Sequence, residues 1–223
     1  EDAFEAVAAC LASAARGEAE NFPVIREALG EGRQYGFKSG IDRAGRLLGV
    51  KSGGYFPGNA AKGMINHQSS IFLFDPDTGK PVAMVGGNLL TALRTAAAAA
   101  ISIDRLARAD ARVLGIVGAG HQAGFQLRAA AQVRKWDRVI AWNLHPEMLA
   151  KLGDVATEIG LPFEPVGLER MVDADVIITI TSSPAASLMA AHVAPGTHLA
   201  CMGTDTKGKQ EVDPALFSKA RVV

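Results

Sequence analysis

The sequence predicts an α/β protein in which an α+β region precedes a doubly wound parallel sheet. Three observations support this prediction. An apolar strand, a glycine turn and an uninterrupted helical segment follow one another over 113–134. Strand-like and helix-like segments then alternate up to residue 202. The residues before 109 instead contain short strand-like runs separated by glycine turns. We therefore expect two domains within the 223 residues, at 1–108 and 109–223.

The first domain is predicted to begin with an amphipathic helix over 1–17, with Phe4, Val7 and Leu11 on one side. Strand-like runs, with their glycine turns, follow at 35–40, 47–54, 69–74 and 81–85. The last two are expected to form a hairpin, because a turn with proline and glycine at suitable positions joins them. An alanine-rich segment over 88–106 is predicted to form one long helix.

The second domain is predicted to alternate strands and helices. Strands are expected at 113–118, 138–142, 175–180 and 197–202, and helices near 122–134, 146–159 and 185–191. The chain begins inside a helical pattern at Glu1 and stops inside a strand-like pattern at Arg221 to Val223. We therefore expect both domains to be incomplete and the chain to be most of a longer protein.

The glycine turn Gly118-Ala-Gly-His-Gln-Ala123 joins the first strand of the second domain to a helix. In this pattern Gly118 allows a tight turn, Gly120 lets a phosphate approach the backbone, and Ala123 permits close packing of helix on strand. The start of the helix supplies N–H groups and a positive dipole end for a pyrophosphate. The sequence therefore predicts a Rossmann-type dinucleotide site that includes Gly118, Ala119, Gly120, His121 and Gln122.

Asn143 follows the second predicted strand of this domain, where an acidic residue usually binds the ribose hydroxyls of the cofactor. Asparagine can form a hydrogen bond there, but it lacks the carboxylate that repels a 2′-phosphate. No arginine follows immediately to bind such a phosphate. The pattern therefore favours NAD(H) over NADP(H), although Asn143 also suits a plain turn before a helix that starts near Pro146.

Composition argues against several classes of function. The formal net charge is zero and the cationic clusters are short, so no nucleic-acid partner is expected. Hydrophobic residues make up 48% of the chain, but no apolar run reaches membrane-spanning length. The two cysteines, Cys10 and Cys201, are far apart and indicate neither a disulfide framework nor a metal site. We therefore expect a cytoplasmic protein that binds neither a membrane nor a metal.

Four motifs lie in one order along the chain. They are Gly49-Val-Lys51-Ser-Gly-Gly-Tyr55, Leu89-Leu-Thr-Ala-Leu-Arg94-Thr-Ala96, Val117-Gly-Ala-Gly-His-Gln122 and Met202-Gly-Thr-Asp205-Thr-Lys-Gly-Lys-Gln-Glu211. Together they resemble the ornithine cyclodeaminase/mu-crystallin family over essentially the whole chain. The resemblance implies a first domain that binds substrate and forms a homodimer, and a second domain that binds the cofactor. Asn66-His-Gln68 and Phe74-Asp-Pro-Asp-Thr-Gly79 are most similar to members that reduce iminosuccinate to aspartate.

Matched to that family, Lys51 and Arg94 correspond to residues that hold the substrate α-carboxylate, and Arg26 to a third cation of the pocket. Fixed cations suit a small anionic imino acid because they orient its C=N carbon, and arginine can bind a carboxylate through two hydrogen bonds. A dicarboxylic substrate needs a further cation or donor, for which Lys38 and His67 are the candidates. The alternative is that these residues are surface charges and a structural histidine.

Asp205 matches the catalytic carboxylate of the family. In a reductase it would stabilise an iminium or relay a proton, and a plain turn aspartate is the alternative. Lys51 and Asp205 are therefore the candidate catalytic residues. The resemblance also implies that the cofactor contacts the ends of two strands, at Thr181, Ser182, Ser183, Met202 and Gly203.

The leading hypothesis is the NAD(P)H-dependent reduction of a small α-imino acid, with iminosuccinate to aspartate as the leading case. A second is a lyase that cyclises ornithine to proline and releases ammonia, and a third is a non-enzymatic binding protein of the crystallin type. Ornithine would need an acidic partner for its δ-amine, whereas an extra lysine or histidine suits a second carboxylate. The third hypothesis is disfavoured because the candidate carboxylate clamp and Asp205 are all present.

Overall fold

The computed structural model describes residues 2–223 and divides into two compact units, one ending at Arg94 and the other beginning at Thr95. The division lies within the helix Gly87–Leu106, whereas the sequence pattern placed a boundary after that helix, at residue 108. The helix is shared because its first turns contact the first unit and its later residues belong to the apolar core of the second.

A six-stranded antiparallel sheet forms the body of the first unit. The helix α1 (Asp2–Ala15) precedes it. Its strands are β1 (Ala19–Asn21), β2 (Ile25–Gly30), β3 (Arg33–Asp42), β4 (Leu47–Tyr55), β5 (His67–Phe74) and β6 (Pro81–Gly86). They lie in the order β1-β3-β4-β5-β6, with β2 also pairing with β3. The helix α2 (Gly87–Leu106) follows β6.

The sequence pattern does not predict β1 and β2. β1 has three residues, and β2 carries Arg26 and Glu27 where alternating apolar residues would mark a strand. Both form because their backbone groups pair with β3. β3 also extends beyond its predicted run at both ends, to Arg33 and Asp42, because its pairing with β2 and β4 continues there. Tertiary pairing rather than local hydrophobic pattern decides these strands.

The predicted hairpin between β5 and β6 is confirmed. The Asp75 carboxylate accepts hydrogen bonds from the backbone N–H groups of Asp77 and Thr78, at 3.0 and 2.8 Å. Gly79 has a φ of 70°, a left-handed conformation that glycine adopts without steric cost. Local chemistry alone is enough to define this turn, which explains why its sequence was sufficient to predict it.

A five-stranded parallel sheet forms the second unit. Its strands are β7 (Val113–Val117), β8 (Arg138–Trp142), β9 (Phe163–Pro165), β10 (Val176–Thr179) and β11 (His198–Cys201), and its α-helices after α2 are α3 (Ala123–Val133) and α4 (Leu149–Glu158). The strand order is β11-β10-β7-β8-β9. The order reverses beside β7, so the predicted doubly wound, Rossmann-type sheet is confirmed.

The predicted helix at 185–191 is wrong. Leu188 instead forms an isolated parallel bridge with Val212, and Ala190–His192 forms a single 3₁₀ turn. Leu188 is fully buried, so the apolar pattern there reflects packing against the sheet rather than an amphipathic helix. The pattern also missed the short β9. Residues 221–223 pair with no described strand, so the strand-like pattern at this end does not form a strand within 2–223.

Both faces of the parallel sheet are covered by apolar side chains. Leu114 and Ile116 of β7 belong to one core cluster, together with Leu127 of α3. Val117 of β7 and Ile140 of β8 belong to a second cluster. Successive residues of a strand point to opposite faces, so a strand buried on both faces becomes a continuous apolar run. This explains why β7, β8, β10 and β11 were readily predicted.

Two structural absences apply to residues 2–223. No helix there is both long enough and apolar enough to cross a membrane. No group of three or more His, Cys, Asp or Glu side chains there is placed to hold a metal ion. Cys10 and Cys201 both carry free thiols.

Candidate active site

Gly118 is required by the fold of the second unit. Its φ is 112°, and a Cβ there would lie 2.7 Å from the carbonyl oxygen of Ile180, just beyond β10. Its N–H donates a hydrogen bond of 2.8 Å to the carbonyl oxygen of Trp142, at the end of β8. The turn after β7 is therefore in contact with the ends of both neighbouring strands. Ligands of open α/β sheets bind at this edge, where the strand order reverses.

Gly120 is not required by the fold in the same way. Its φ lies outside the left-handed region, and a Cβ there would meet no heavy atom within 4 Å. Ala123, the first residue of α3, is by contrast buried, with 1% exposure. Gly120 and Ala123 are therefore small for different reasons. Ala123 lets the helix pack closely, whereas Gly120 keeps the approach to the backbone open.

His121 and Gln122 connect this turn to α3. The ring of His121 packs against Phe125, with centroids 5.5 Å apart. The Oε1 atom of Gln122 is buried and accepts no hydrogen bond from the residues described in the structure. A buried acceptor of this kind suits a donor supplied by a ligand or a water molecule. Together with the open space at Gly120 and the start of α3, it fits a dinucleotide.

Asn143 braces the glycine turn. Its Oδ1 accepts a hydrogen bond of 3.0 Å from the backbone N–H of Ala119, and its Nδ2 donates one of 2.9 Å to the carbonyl oxygen of His145. The turn interpretation of this residue is therefore correct. Binding to a ribose remains a prediction. It is compatible with this contact, because an asparagine oxygen has a second lone pair that can accept a hydrogen bond from a hydroxyl.

The loops that follow β10 and β11 lie against each other. A Cβ on Gly203 would be 2.2 Å from the carbonyl oxygen of Thr181, and the N–H of Met202 donates a 2.8 Å hydrogen bond to Thr179. Ser183 donates to the carbonyl oxygen of Ala185 at 2.6 Å, while Ser182 is exposed. The structure thus brings the predicted strand-end residues of the two loops together at the carboxyl edge of the sheet.

Asp205 lies two residues beyond Gly203 in the second loop. Lys209 forms an ion pair with it, Nζ to Oδ1 at 2.7 Å, and the hydroxyl of Thr206 donates to the same oxygen at 3.1 Å. The Asp205 side chain is 52% exposed, so the carboxylate combines local partners with access to solvent. Sequence reasoning assigned no role to Lys209, although the motif that contains Asp205 also contains this lysine.

Glu211 is a second residue to which sequence reasoning assigned no role. It is 1% exposed, and its carboxylate accepts hydrogen bonds from the N–H groups of Thr181 and Gly203, at 2.6 and 2.7 Å. Glutamate is a surface residue in most proteins, so its burial is not evident from the sequence. The only signal was its position at the end of the fourth motif.

The first unit contains a cavity of about 420 Å³ that is lined by three cations. Lys38 comes from β3, Lys51 from β4 and Arg94 from α2. Lys51 Nζ donates a 3.2 Å hydrogen bond to the hydroxyl of Thr91. The remaining lining is apolar and consists of Ala3, Ala6, Val7, Ile71, Leu90 and Leu93. The volume lies within the range of small-molecule sites.

Arg26 and His67 share a sheet face with the two lysines but lie outside this lining. Arg26 pairs with Gly36, two residues from Lys38 along β3, so both side chains are on one face. His67 is on the same face by register, four residues from the β5 partner of Lys51 and therefore about 13 Å away along the strand. The cavity lining brings Lys38, Lys51 and Arg94 together, whereas Arg26 and His67 lie on the same sheet face outside that lining.

Comparison with known proteins gives the same architecture. The model of the ornithine cyclodeaminase/mu-crystallin family matches residues 1–223. The chain is 60% identical over 224 residues to the iminosuccinate reductase of Paracoccus denitrificans, covering all of this chain and 70% of that protein. The crystal structure of that reductase in complex with NAD⁺ superposes with a TM-score of 0.93, over 99% of this chain and 69% of the reductase chain.

An archaeal alanine dehydrogenase, described as a dimer with bound NAD, is similar at lower identity. It has 30% sequence identity and a TM-score of 0.93, over 99% of this chain and 68% of its own. The likeness thus covers both units of the chain and extends well beyond the glycine turn. Because the family model matches the full sequence, the chain belongs to the ornithine cyclodeaminase/mu-crystallin family.

Proposed function

We propose that this protein uses NADH to reduce a small dicarboxylic imino acid, iminosuccinate, to aspartate. The observation that carries the proposal is the cavity in which Lys38, Lys51 and Arg94 meet. Three cations and the hydroxyl of Thr91 around a small, mostly apolar space suit a substrate with two carboxylates. The 60% identity to an iminosuccinate reductase supports the same substrate.

The proposed roles of the cations follow from their positions. Lys51 and Arg94 hold the α-carboxylate, and Lys38 holds the second carboxylate from the neighbouring strand. The hydrogen bond from Lys51 to Thr91 restricts the lysine side chain, so it can orient the imino acid with a smaller loss of entropy. Arg26 and His67 remain candidates for a weaker, longer-range contribution from the same sheet face.

We propose NAD(H) rather than NADP(H) as the cofactor. The residues that would hold it are Gly118, Gly120 and the start of α3 for the pyrophosphate, Asn143 for a ribose, and the loops with Thr181 and Gly203 for the nicotinamide half. When bound, the reduced nicotinamide supplies the hydride. Support comes from the open backbone at Gly120 and from the NAD⁺ bound to the similar reductase.

Asp205 is the proposed proton-handling residue. Reduction of a C=N bond requires one hydride on carbon and one proton on nitrogen. An iminium accepts hydride more readily than a neutral imine, and a nearby carboxylate stabilises that cation. Lys209 forms an ion pair with one oxygen of Asp205, which restricts the orientation of the carboxylate.

The lysine pair argues against ornithine as the substrate. A δ-ammonium group would share the cavity with Lys38, and like charges at short range repel. The chain therefore suits a second carboxylate better than a second amine. A binding protein without catalysis would not need Asp205, so the non-enzymatic alternative leaves that residue unexplained.

We also propose that the protein forms a homodimer through the first unit. β6 is at an edge of the antiparallel sheet, all its residues are exposed, and Val82 and Met84 are each 66% exposed. Exposed apolar edge strands pair with other chains unless they are covered. The dimeric state of the similar archaeal dehydrogenase supports this proposal.

The decisive experiment measures oxidation of NADH by the full-length protein with oxaloacetate plus ammonia, which generate iminosuccinate. Pyruvate or glyoxylate with ammonia and a cyclic imine are run in parallel, and ornithine is assayed for ammonia release. We expect the highest kcat/KM with the four-carbon dicarboxylate. Faster turnover of ornithine, or binding of thyroid-hormone-type ligands with no turnover of any substrate, would overturn the proposal.

A further inference from the structure

Glu211 is a buried carboxylate that the proposed mechanism does not use. Its Oε1 accepts hydrogen bonds from the N–H and the hydroxyl of Thr181, at 2.6 and 2.9 Å. Its Oε2 accepts from the N–H of Gly203 at 2.7 Å and from the hydroxyls of Thr179 and Thr204 at 3.0 and 3.5 Å. Each of these groups donates its hydrogen bond to Glu211. The carboxylate is thus surrounded by donors from the end of β10 and from two strand-end loops.

These contacts join the two loops at their closest approach. Gly203 is so near Thr181 that it has no room for a side chain. Because the two backbone segments are too close for water to lie between them, their N–H groups need hydrogen-bond acceptors from the protein. Glu211 supplies one acceptor to each segment, and hydrogen bonds from N–H groups to a carboxylate are shorter and stronger than neutral ones.

The same contacts bear on Asp205. The carbonyl oxygen of Gly203 accepts hydrogen bonds from the N–H of Asp205 and from Lys209 Nζ, at 3.1 and 3.4 Å. Lys209 also holds the Asp205 carboxylate. Gly203 is therefore the point at which Glu211, from inside, and Lys209, from the surface, fix the loop that carries Asp205.

We propose that Glu211 is a positioning residue for the nicotinamide half of the cofactor site. It holds the loops of Thr181 and Gly203 in one arrangement and, through Gly203, sets the place of Asp205, without itself touching the substrate. This inference rests on the proposed function, since it assumes that these loops contact the nicotinamide. It predicts a selective defect, because the described hydrogen bonds of the pyrophosphate turn after β7 run to residues such as Trp142 and Asn143, and none of them involves Glu211.

The substitution Glu211→Gln tests this inference sharply. Glutamine has the same shape, but one of its two polar ends is a donor. That end must face the N–H of either Thr181 or Gly203, and neither backbone N–H can rotate away. We therefore expect one of the loops to shift in either orientation of the amide.

The matched control is Asp213→Asn, two residues along the chain. Asp213 also accepts hydrogen bonds from two backbone N–H groups, those of Ala190 and Ala215, at 3.2 and 2.9 Å. It caps the 3₁₀ turn Pro214–Leu216 and has no contact with Thr181 or Gly203 among its described hydrogen bonds. Loss of a carboxylate at this position should lower stability without affecting the strand-end loops.

The experiment compares the binding of NADH with that of ADP-ribose, which lacks the nicotinamide, in the full-length protein and both variants. For Glu211→Gln we expect NADH binding to weaken by about tenfold, as for one charge-assisted hydrogen bond lost, with ADP-ribose binding unchanged. We expect kcat to fall by roughly tenfold to hundredfold, because small displacements of reacting groups are costly, with little change in the KM of the imine. Equal weakening of both ligands, or an unchanged kcat, would overturn the inference.

If the parent protein binds NADH but reduces no imine, the proposed function fails, and the NADH to ADP-ribose comparison still decides the role of Glu211. If Glu211→Gln does not fold, Thr179→Val removes one donor to the same carboxylate without adding a clash. That variant should show the same selectivity for NADH at smaller size, and a loss shared equally by both ligands would contradict the inference.

Discussion

Lys38 and Lys51 lie directly opposite each other on the antiparallel strands β3 and β4, and both side chains line one cavity. Like charges at directly opposed positions of a sheet destabilise it. Arg94 adds a third positive charge to the same space. The proposed substrate assignment follows from this arrangement, because a dicarboxylate bound between the cations would offset their repulsion.

Replacing Lys38 should therefore alter substrate selectivity. We expect Lys38→Met to lower kcat/KM for the dicarboxylic imine by roughly 30-fold or more, because losing one partner of a buried charged pair costs about 2–5 kcal/mol. Activity on an imine with an uncharged side chain should change little or rise. The exposed Lys80 in the hairpin turn provides the control Lys80→Met. Equal losses on both classes of imine would show that Lys38 does not contact the second carboxylate.

His67→Phe tests the other candidate for the second carboxylate. Because His67 lies outside the cavity lining, we expect a smaller loss on the dicarboxylic imine than for Lys38→Met. Steady-state kinetics on mono- and dicarboxylic imines, measured across pH, make the comparison. A selective loss as large as that of Lys38→Met would reverse the two assignments.

Substitutions of the two glycines in the proposed cofactor turn should have different effects. Gly120→Val places a side chain in open space, so we expect a folded protein that no longer binds NADH. Gly118→Val forces a side chain against the Ile180 carbonyl at an unfavourable φ, so we expect a marked loss of thermal stability. Calorimetric titration and circular dichroism separate the two effects. A Gly120→Val variant that binds NADH like the parent would exclude the proposed pyrophosphate position.

Asn143→Asp should change both cofactor preference and stability. The new carboxylate keeps the acceptor for Ala119 but turns an oxygen toward the carbonyl of His145, where Asn143 now donates. We expect a shift toward NADH over NADPH, because the carboxylate repels a 2′-phosphate, together with a lower melting temperature. The ratio of kcat/KM for the two cofactors measures the first effect. A ratio that moves toward NADPH would contradict the proposed position of Asn143 near the ribose.

The pH dependence of stability should reveal His198. Burial, and to a smaller extent the charge of Arg134, lower the pKa of its imidazole. The Ser102 hydroxyl donates to the carbonyl oxygen of Ala99, so it accepts from His198 Nε2 at 3.1 Å. The unfolded chain then binds a proton more readily than the native protein. The free energy of unfolding should therefore decrease as pH falls below about 6.5, the ordinary histidine pKa.

The variant His198→Gln should remove this component and flatten the profile between about pH 5 and 7, the range in which histidine titrates. The matched control is His145→Gln, whose side chain is 66% exposed. Denaturant unfolding at several pH values is the measurement. A profile for His198→Gln with the same slope as the parent would show that the histidine does not control stability in this range.

Introducing a positive charge on the edge strand β6 tests the proposed association. We expect Met84→Lys to convert the full-length protein from dimer to monomer in light scattering at micromolar concentration, because an edge lysine opposes strand pairing. Leu144→Lys, at a residue of the second unit that is 73% exposed, should leave the dimer intact. A parent protein that is itself monomeric would exclude the proposed assembly.

Much of the second unit was predictable because its signals are local. β7, the glycine turn and α3 follow from an apolar run, two glycines and a helix without a breaker. The same holds for the hairpin at Asp75, whose side chain makes the turn by itself. Prediction failed where the local pattern was ambiguous or absent. The apolar residues at 185–191 suggested a helix but belong to a loop in which Leu188 is buried. β2 has no alternating apolar pattern and forms by pairing with β3.

Local motifs were sufficient to identify the family, the strand–turn–helix that suits a dinucleotide and the set of candidate cations. The tertiary structure determines which of those cations share a cavity, because strand register places Lys38 against Lys51 and leaves His67 at the far end of the same face. It also decided that Glu211 is buried among donors from two loops. Both relationships join residues that are distant along the chain or hidden in a polar motif, and backbone pairing rather than residue type brings them together.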